Sequence, residues 1–208
     1  TLTKRPNILF IMADDLGYSD IGAFGGEIET PNLDALATGG RLLTNHHTGT
    51  VCAITRSMLI SGTDHHLVGE GTMGRPTDER RDLPGYEGFL NDRSLSVAQL
   101  LKDAGYHTYI AGKWHLGNNT AIASKPVPLG TVGHTPDQWG FEKSFTLLGG
   151  AAGNHFFHEA ADSRNFTENG VYVQPGQPGQ PGSAGSGDPT YSTDFYTQRL
   201  IRYINSNK

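Results

Sequence analysis

The amino-acid sequence predicts an α/β fold, in which a mixed and mostly parallel sheet is flanked by helices. Short strand-like runs occur at residues 7–12 and 106–111, and a capped helix precedes the second run. Strands that alternate with helices along the chain are typical of this fold class. The chain has 208 residues, of which 36% are hydrophobic, and this suits a globular domain with a substantial core.

The first elements are predicted from apolar content and end signals. Residues 7–12 form a nearly continuous apolar run of the kind found in a buried strand. Thr30 before Pro31 predicts a helix start, with the hydroxyl as the cap and proline at the first helical position. Gly39 and Gly40 predict the end of that helix.

Two further helices are predicted before the second strand. Residues 55–60 are compatible with a short helix that ends at Gly62. Ser96, followed three residues later by Gln99, matches a capping box, and Gly105 predicts the end of that helix. Its buried face is expected to carry three leucines, Leu95, Leu100 and Leu101.

The last part of the chain predicts a flexible loop and then an amphipathic helix. Residues 174–190 are dominated by Pro, Gly, Gln and Ser, a composition that buries too little apolar surface to offset its ordering entropy. Residues 193–205 place four apolar side chains near one side of a helix. These are Tyr196, Leu200, Ile201 and Ile204.

The charge pattern excludes several classes of partner. There are 16 Lys and Arg against 21 Asp and Glu, the net charge is -5, and no basic block of five occurs. We therefore expect neither nucleic acid nor a membrane as partner. Residues 1–7 lack the apolar core of a signal peptide and the chain has one cysteine. These features predict a cytoplasmic location, with a secreted or periplasmic one as the alternative.

Asp14 and Asp15 directly follow the first predicted strand. Open α/β sheets place their ligand sites at the carboxyl ends of strands, and adjacent carboxylates repel each other unless a cation lies between them. Oxygen ligands of this kind suit a hard ion such as Ca²⁺ or Mg²⁺. The alternative is a solvated loop or a helix cap.

Cys52 lies where a short helix is expected to begin, with Arg56 four residues further on. The positive end of the helix dipole and a guanidinium would both stabilise an anion or a polarised nucleophile there. A small buried thiol is the alternative, since many free cysteines are simply core residues.

Lys113 and His115 follow the second predicted strand. In extended chain, alternate residues point the same way, so a lysine that binds an oxyanion and a histidine that moves a proton would act together. The alternative is a pair of surface charges beside Trp114, which anchors the segment. Convergence of these residues with Cys52 and the acidic pair at one edge of the sheet is the working hypothesis.

The other histidines are not predicted to bind metal. The pairs His46-His47 and His65-His66 lack the spacing of a helical metal site, so loop or wall positions are expected. His155 and His158 are three residues apart but are interpreted as packed side chains. Two glycosylation-type triplets that begin at Asn118 and Asn165 are given little weight, because such triplets often arise by chance.

Three segments resemble the type I sulfatases of the alkaline phosphatase superfamily, particularly bacterial and fungal arylsulfatases. RPNILFIMADDLGYSDIGAFGG is similar to the family's opening strand and metal loop. CAITRSMLISG resembles the first sulfatase signature, and GYHTYIAGKWHLG closely resembles the second. The resemblance implies an alkaline phosphatase-like fold, of which residues 1–208 form the N-terminal, incomplete part of the catalytic domain.

The resemblance also implies a mechanism and a maturation step. A formylglycine-generating enzyme would oxidise Cys52 to formylglycine, whose hydrated aldehyde attacks the sulfur of a small-molecule sulfate ester, either an aryl or a small alkyl sulfate. Asp14, Asp15 and the modified Cys52 would bind Ca²⁺, with Mg²⁺ as the second choice. By position, Arg56 would fix the formylglycine, while Lys113 would bind a sulfate oxygen and His115 the nucleophile hydroxyl.

The chain departs from the family pattern in two respects. Ile54 stands where the signature C-x-P-x-R has proline, and no match is found to the family's later Asp-Asn pair, histidine and second lysine. Since Ca²⁺ takes about 6–8 oxygen ligands, Asp14 and Asp15 alone predict weak binding and little turnover. Two alternatives therefore remain, namely a phosphonate or phosphate monoester hydrolase of the same superfamily, and a catalytically silent fragment or pseudoenzyme.

Overall fold

The structure, a computed structural model, describes residues 5–73, 79–80, 83–117, 135–150, 166–183 and 185–207. The chain divides into two compact units, Thr1–Thr48 and Gly49–Lys208. We refer to them as the first and the second unit. The triplets at Asn118 and Asn165 and the pair His155 and His158 lie wholly or partly outside the described residues.

The first unit contains a helix, α1 (Pro31–Gly39), which begins and ends where the sequence predicts. The Thr30 hydroxyl does not cap this helix as expected. It accepts the backbone N–H of Gly22 at 2.9 Å and donates to Asp34 Oδ1 at 2.9 Å. Thr30 therefore links the preceding turn to α1. The N–H of Gly22 in that turn competes with the first N–H groups of the helix for the hydroxyl oxygen of Thr30.

Residues 7–12 do not form the predicted strand. Their large side chains from Ile8 to Ile11 are 60–71% exposed. A strand gains ladder hydrogen bonds and burial only from its neighbours, and the described part of the first unit contains no strand to pair with this run. The apolar composition of the run is therefore not sufficient to form the element.

The second unit contains the sheet and the remaining helices. Its elements in chain order are α2 (Cys52–Ser61), α3 (Val97–Asp103), β1 (Tyr109–Lys113), β2 (Lys143–Leu147), β3 (Phe166–Glu168), β4 (Val171–Val173) and α4 (Ser192–Asn205), with a 3-10 turn at Pro136–Trp139 before β2. The described strands form a sheet in the order β1-β2-β3-β4. The β1–β2 pair is parallel, and the other two pairs are antiparallel. The predicted mixed sheet flanked by helices is confirmed, whereas the expectation that it is mostly parallel is wrong for the described strands, of whose three pairs one is parallel.

The strand β1 begins three residues later than predicted and ends at Lys113. The backbone N–H of Tyr106 donates to the carbonyl of Leu101 at 3.0 Å. This bond keeps the chain in the turn that ends α3, and the register with β2 begins at Tyr109, which lies opposite Lys143.

The capping prediction for α3 is confirmed, but its predicted buried face is wrong. Ser96 Oγ accepts the backbone N–H of Gln99 at 2.9 Å and donates to the carbonyl of Trp139. Ala98 is buried, whereas two of the three predicted leucines are exposed. A Cβ on Gly140 would lie 2.5 Å from the Gln99 nitrogen, so the helix packs closely through its small residues rather than through its leucines.

The predicted C-terminal helix is confirmed as α4, although its buried face differs from the prediction. Phe195 and Tyr203 are buried, while Ile201 and Ile204 are largely exposed. The rings of Phe195 and Phe145 are 4.7 Å apart. The predicted Tyr196 packs against the same cluster, whereas Phe195 and Tyr203 contact it from positions that the predicted face did not include. Large rings dominate such contacts.

The Pro-Gly segment before α4 contains hydrogen-bonded turns. The backbone N–H of Gly176 donates to the carbonyl of Pro181 at 2.8 Å, and Asp188 Oδ1 accepts from Arg202 at 2.7 Å. Pro175 and Ser183 are buried. The predicted flexibility of residues 174–190 stays a prediction.

A cluster of buried apolar residues lies directly behind the end of β1. Trp114 and Leu116 alternate with polar residues there and pack with Leu90, Trp139 and Leu148. Trp114, Leu116 and Leu148 are almost completely buried. This core fixes the backbone at the point where Lys113 and His115 leave the sheet.

Candidate active site

Cys52 is the first residue of α2, and Val51 before it is extended. The first N–H groups of a helix have no partner within the helix, so partial positive charge gathers at this end. The thiol is half-buried. Its Sγ lies 3.2 Å from His115 Nδ1 and 3.7 Å from the Sδ of Met73. The helix start predicted for Cys52 is thus present, with an imidazole beside the sulfur.

His115 is held on the buried side of Cys52. Its backbone N–H donates to the carbonyl of Leu148 at 3.1 Å, which continues the β1–β2 pairing beyond Lys113. His115 has φ of 56°, in the left-handed region, and its side chain is buried. The left-handed turn ends the simple alternation of an extended strand, so the expectation that Lys113 and His115 point the same way does not follow from strand geometry here.

The imidazole of His115 packs directly against main chain. A Cβ built on Gly150 would lie 2.4 Å from both Cε1 and Nε2 of His115. Real Cβ atoms do not approach other atoms so closely, so any larger residue at this position would displace the ring. Gly150 therefore helps to set the position of Nδ1 beside Cys52.

Arg56 links α2 to the end of β1. It lies four residues after Cys52 and therefore on the same side of α2. Its Nη1 donates to the backbone carbonyl of Lys113 at 2.7 Å. Lys113 itself is partly buried and lies opposite Leu147 in the register with β2. Within the second unit, the side chains of Cys52 and His115 are thus in contact, and Arg56 contacts the backbone of Lys113.

Asp14 and Asp15 lie in the first unit, and both are exposed. Asp15 has φ of 54°, a conformation that aspartate tolerates better than most residues. Two exposed carboxylates fit a hard divalent cation chemically, although they supply fewer oxygens than the about 6–8 that Ca²⁺ takes. Their proximity to Cys52 stays a prediction.

Sequence reasoning missed Met73 and Gly150. Met73 is 48% exposed and contacts the thiol of Cys52. Its place depends on the path of the loop after α2, which leaves no local signal in the sequence. Gly150 is one of 28 glycines, and only its distance to His115 distinguishes it from the others.

A buried carboxyl lies on the loop that follows α2. Glu70 is 2% exposed, and burial, together with the nearby charge of Glu87, raises the pKa of Glu70 to about 8. Glu87 is better solvated and lies 3.5 Å from an Arg93 nitrogen. Asn91 also donates to Glu87, at 3.4 Å. Of the two carboxyls, Glu70 therefore holds a proton near neutral pH.

Of the remaining histidines, His46 and His47 are exposed loop residues, as expected. A hydrogen bond of 2.7 Å joins a ring nitrogen of His47 to Asn45.

Within the described residues, no helix combines the length and apolar character that crossing a membrane requires.

Comparison with known proteins identifies the relatives of this chain. A family profile for sulfatases matches residues 6–208. An uncharacterized sulfatase of Schizosaccharomyces pombe is 39% identical over 210 residues, which cover 99% of this chain and 36% of that protein. An arylsulfatase of Klebsiella aerogenes is 43% identical over 204 residues, which cover 98% of this chain and 40% of that protein. The chain thus spans two fifths or less of the length of these relatives.

Solved structures give a consistent result. A protein in complex with its substrate D-glucosamine-2-N,6-O-disulfate is 26% identical, with a TM-score of 0.59. The match covers 97% of this chain and 31% of that one. The structural relatives confirm the alkaline phosphatase-like fold that the motifs predicted.

Proposed function

The chain belongs to the sulfatase family, and we propose that it hydrolyses sulfate esters through a nucleophile built from Cys52. The contact between Cys52 Sγ and His115 Nδ1, at 3.2 Å, is the observation that carries the proposal. It places a reactive sulfur at a helix N-terminus beside a group that can hold or move a proton. Aryl and small alkyl sulfates are the proposed substrates, in keeping with the arylsulfatase of Klebsiella aerogenes among the relatives.

The proposed nucleophile is a hydrated formylglycine at position 52. One of its hydroxyls loses its proton and attacks the sulfur of the ester. The S–O bond to the alcohol breaks, the alcohol leaves with a proton, and position 52 carries the sulfate. The second hydroxyl then loses its proton, the aldehyde forms again and sulfate leaves. Covalent catalysis of this kind divides a difficult displacement into two easier steps. Because His115 Nδ1 lies within hydrogen-bonding reach of the position 52 side chain, we assign it to bind and orient a hydroxyl there.

Arg56 and Lys113 are assigned complementary roles. Lys113 lies at the end of β1 and would bind a sulfate oxygen as a point charge. Arg56 holds the backbone of Lys113 through a bond of 2.7 Å, so it positions the lysine as well as placing positive charge near Cys52. Positive charge that is already in place needs no rearrangement when charge develops on the sulfate oxygens.

A divalent cation completes the proposal. Asp14, Asp15 and an oxygen of the modified Cys52 would bind it, with Ca²⁺ preferred over Mg²⁺ because larger and less regular oxygen sites suit calcium. When bound, such an ion supplies positive charge that polarises sulfate oxygens. Both aspartates are exposed and carry carboxylate oxygens suited to this ion.

Mass spectrometry of the peptide that contains Cys52 tests the nucleophile. Conversion of the thiol to the aldehyde lowers the mass by about 18 Da. We expect this loss in protein from the native host, and we expect the Cys52→Ala variant to lack sulfatase activity. An unmodified thiol together with no turnover would instead favour a catalytically silent protein.

Parallel assays with an aryl sulfate and an aryl phosphate test the substrate class, and they are made on the full-length protein because this chain spans two fifths or less of the length of its relatives. We expect the sulfate ester to be hydrolysed with the higher kcat/KM. A clear preference for the phosphate would contradict the proposal and favour a phosphate monoester hydrolase of the same superfamily. His115→Asn is the informative variant here, because it keeps a hydrogen-bonding group but cannot take up a proton at physiological pH.

A further inference from the structure

Three side chains with metal-binding atoms meet on the loop after α2. Asp64, His65 and His66 each offer one ligand atom, and these atoms all lie within 4.8 Å of one another. Asp64 and His66 are exposed, and His65 is half-buried. Ligands on one zinc ion, with Zn–N bonds of about 2.0–2.1 Å, are themselves roughly 3.4 Å apart. The three ligand atoms would therefore have to approach one another by up to roughly 1.4 Å to bind one ion.

The hydrogen bond of His65 leaves one ring nitrogen ready to bind a metal. His65 Nδ1 lies 2.8 Å from the backbone carbonyl of Glu70. A carbonyl oxygen can only accept, so Nδ1 carries the proton, and in the neutral ring Nε2 keeps its lone pair. Histidine ligands in metal sites usually have this arrangement, in which one N–H donates to a carbonyl and the other nitrogen binds the ion.

His66 and Asp64 are also held in place. The edge of the His66 ring meets Tyr86, with ring centroids 5.7 Å apart. Asp64 Oδ1 accepts the backbone N–H of His66 at 2.9 Å and lies 3.3 Å from its Nδ1. A carboxylate has about four lone pairs, so Asp64 can accept both bonds and still bind a metal.

The backbone of this loop is fixed by the segment that packs on it. The N–H of Asn91 donates to the carbonyl of Val68 at 3.0 Å, and Val68 is completely buried. The N–H of Glu70 donates to the carbonyl of His65 at 2.9 Å. A Cβ on Gly85 would lie 2.4 Å from the carbonyl oxygen of His66. The three ligands therefore project from a backbone that is ordered before any ion binds.

From this geometry we propose that Asp64, His65 and His66 form a binding site for a borderline divalent metal ion, with Zn²⁺ as the representative. Two imidazoles and one carboxylate match the preferences of zinc and its neighbours among the transition metals. Calcium and magnesium prefer oxygen ligands only. The site is distinct from the proposed cation site of the sulfatase reaction and does not depend on the proposed function.

Calorimetric titration with ZnCl₂ tests the proposal. Each titration is made in the Cys52→Ser variant, because a thiol and an imidazole 3.2 Å apart can themselves bind zinc. We expect a zinc site whose affinity falls about tenfold or more in His65→Gln and in His66→Gln. The matched control is the double variant His46→Gln with His47→Gln, which changes the other adjacent histidine pair and should leave this affinity unchanged.

Three outcomes of the zinc titrations would overturn the proposal. They are no zinc binding by the Cys52→Ser protein, zinc binding that survives both His65→Gln and His66→Gln, and an equal loss in the His46 and His47 control. Circular dichroism of each variant confirms folding. If His65→Gln unfolds, His66→Gln and Asp64→Asn carry the test, since both of these side chains are exposed. A titration with CaCl₂ should give no heat that depends on His65 or His66, and calcium binding that does would equally contradict a site built on imidazoles.

Discussion

Replacing Glu70 with glutamine should make the protein more stable at high pH and change little at low pH. The pKa of Glu70 is raised from 4.5 to about 8 in the folded protein. Between these values the folded state binds more protons than the unfolded state, so the free energy of unfolding falls as pH rises. Below pH 4.5 the ionisation of Glu70 costs the wild-type protein no folding stability. Above about pH 8 the full cost of a buried carboxylate applies. Glutamine has a similar shape and never ionises.

The size of the effect follows from the two pKa values. Their difference of about 3.5, at about 1.4 kcal/mol for each pH unit, gives a ceiling of about 5 kcal/mol. Part of this penalty comes from the nearby charge of Glu87, which also raises the pKa of Glu70. Relaxation of the loop and entry of water reduce the penalty further, so a gain of roughly 1–3 kcal/mol for Glu70→Gln is the realistic expectation.

Urea unfolding of both proteins at about pH 5 and about pH 9 measures the effect. We expect the stability difference between Glu70→Gln and wild type to grow with pH. Glu79→Gln is the matched control, because Glu79 is exposed and its replacement should produce no such growth. Glu87→Gln should reduce, without abolishing, the loss of folding stability that the wild-type protein shows between about pH 5 and about pH 9. An equal difference at both pH values, or a variant that is less stable at high pH, would refute the reasoning.

Three more predictions concern the surroundings of position 52 and the cap of α3. Gly150→Ala should lower kcat at least about tenfold while urea stability changes little, because the methyl group displaces the His115 ring; unchanged kinetics would contradict this. Ser96→Ala should lower the free energy of unfolding by about 1–2 kcal/mol in urea, since it removes the cap of α3, and a neutral result would count against that role. Ile54→Pro should raise the fraction of Cys52 that shows the mass loss, because proline is tolerated in the first turn of α2 and restores the family signature. An unchanged fraction would show that Ile54 does not limit the modification.

The parts of the fold that sequence reasoning predicted are those with local causes. Ser96 and Gln99 define the start of α3 because the cap and its partner are three residues apart. The buried faces of α3 and α4 depend instead on which neighbour each helix meets. Ala98 is buried where α3 approaches Gly140, and such an approach leaves no periodic signal in the helix itself. The apolar run at residues 7–12 shows the same limit, since a strand requires a partner.

The candidate site could be predicted in part for a similar reason. Cys52, Arg56 and His115 belong to two ordered signatures, so their meeting could be inferred once the motifs were aligned with a family. Met73 contacts the same sulfur but belongs to neither signature. The proposed ligand set at Asp64, His65 and His66 was not predicted because adjacent histidines lack helical spacing, whereas a loop can bring consecutive side chains together.

The neighbours of Cys52 differ in the substitutions that they tolerate. On one side the His115 ring rests on bare main chain at Gly150, where even a methyl group would collide. On the other side Met73 is a flexible thioether half open to water, and many residues could replace it without strain. Residue changes that alter the surroundings of Cys52 without strain are therefore expected at Met73 rather than at Gly150.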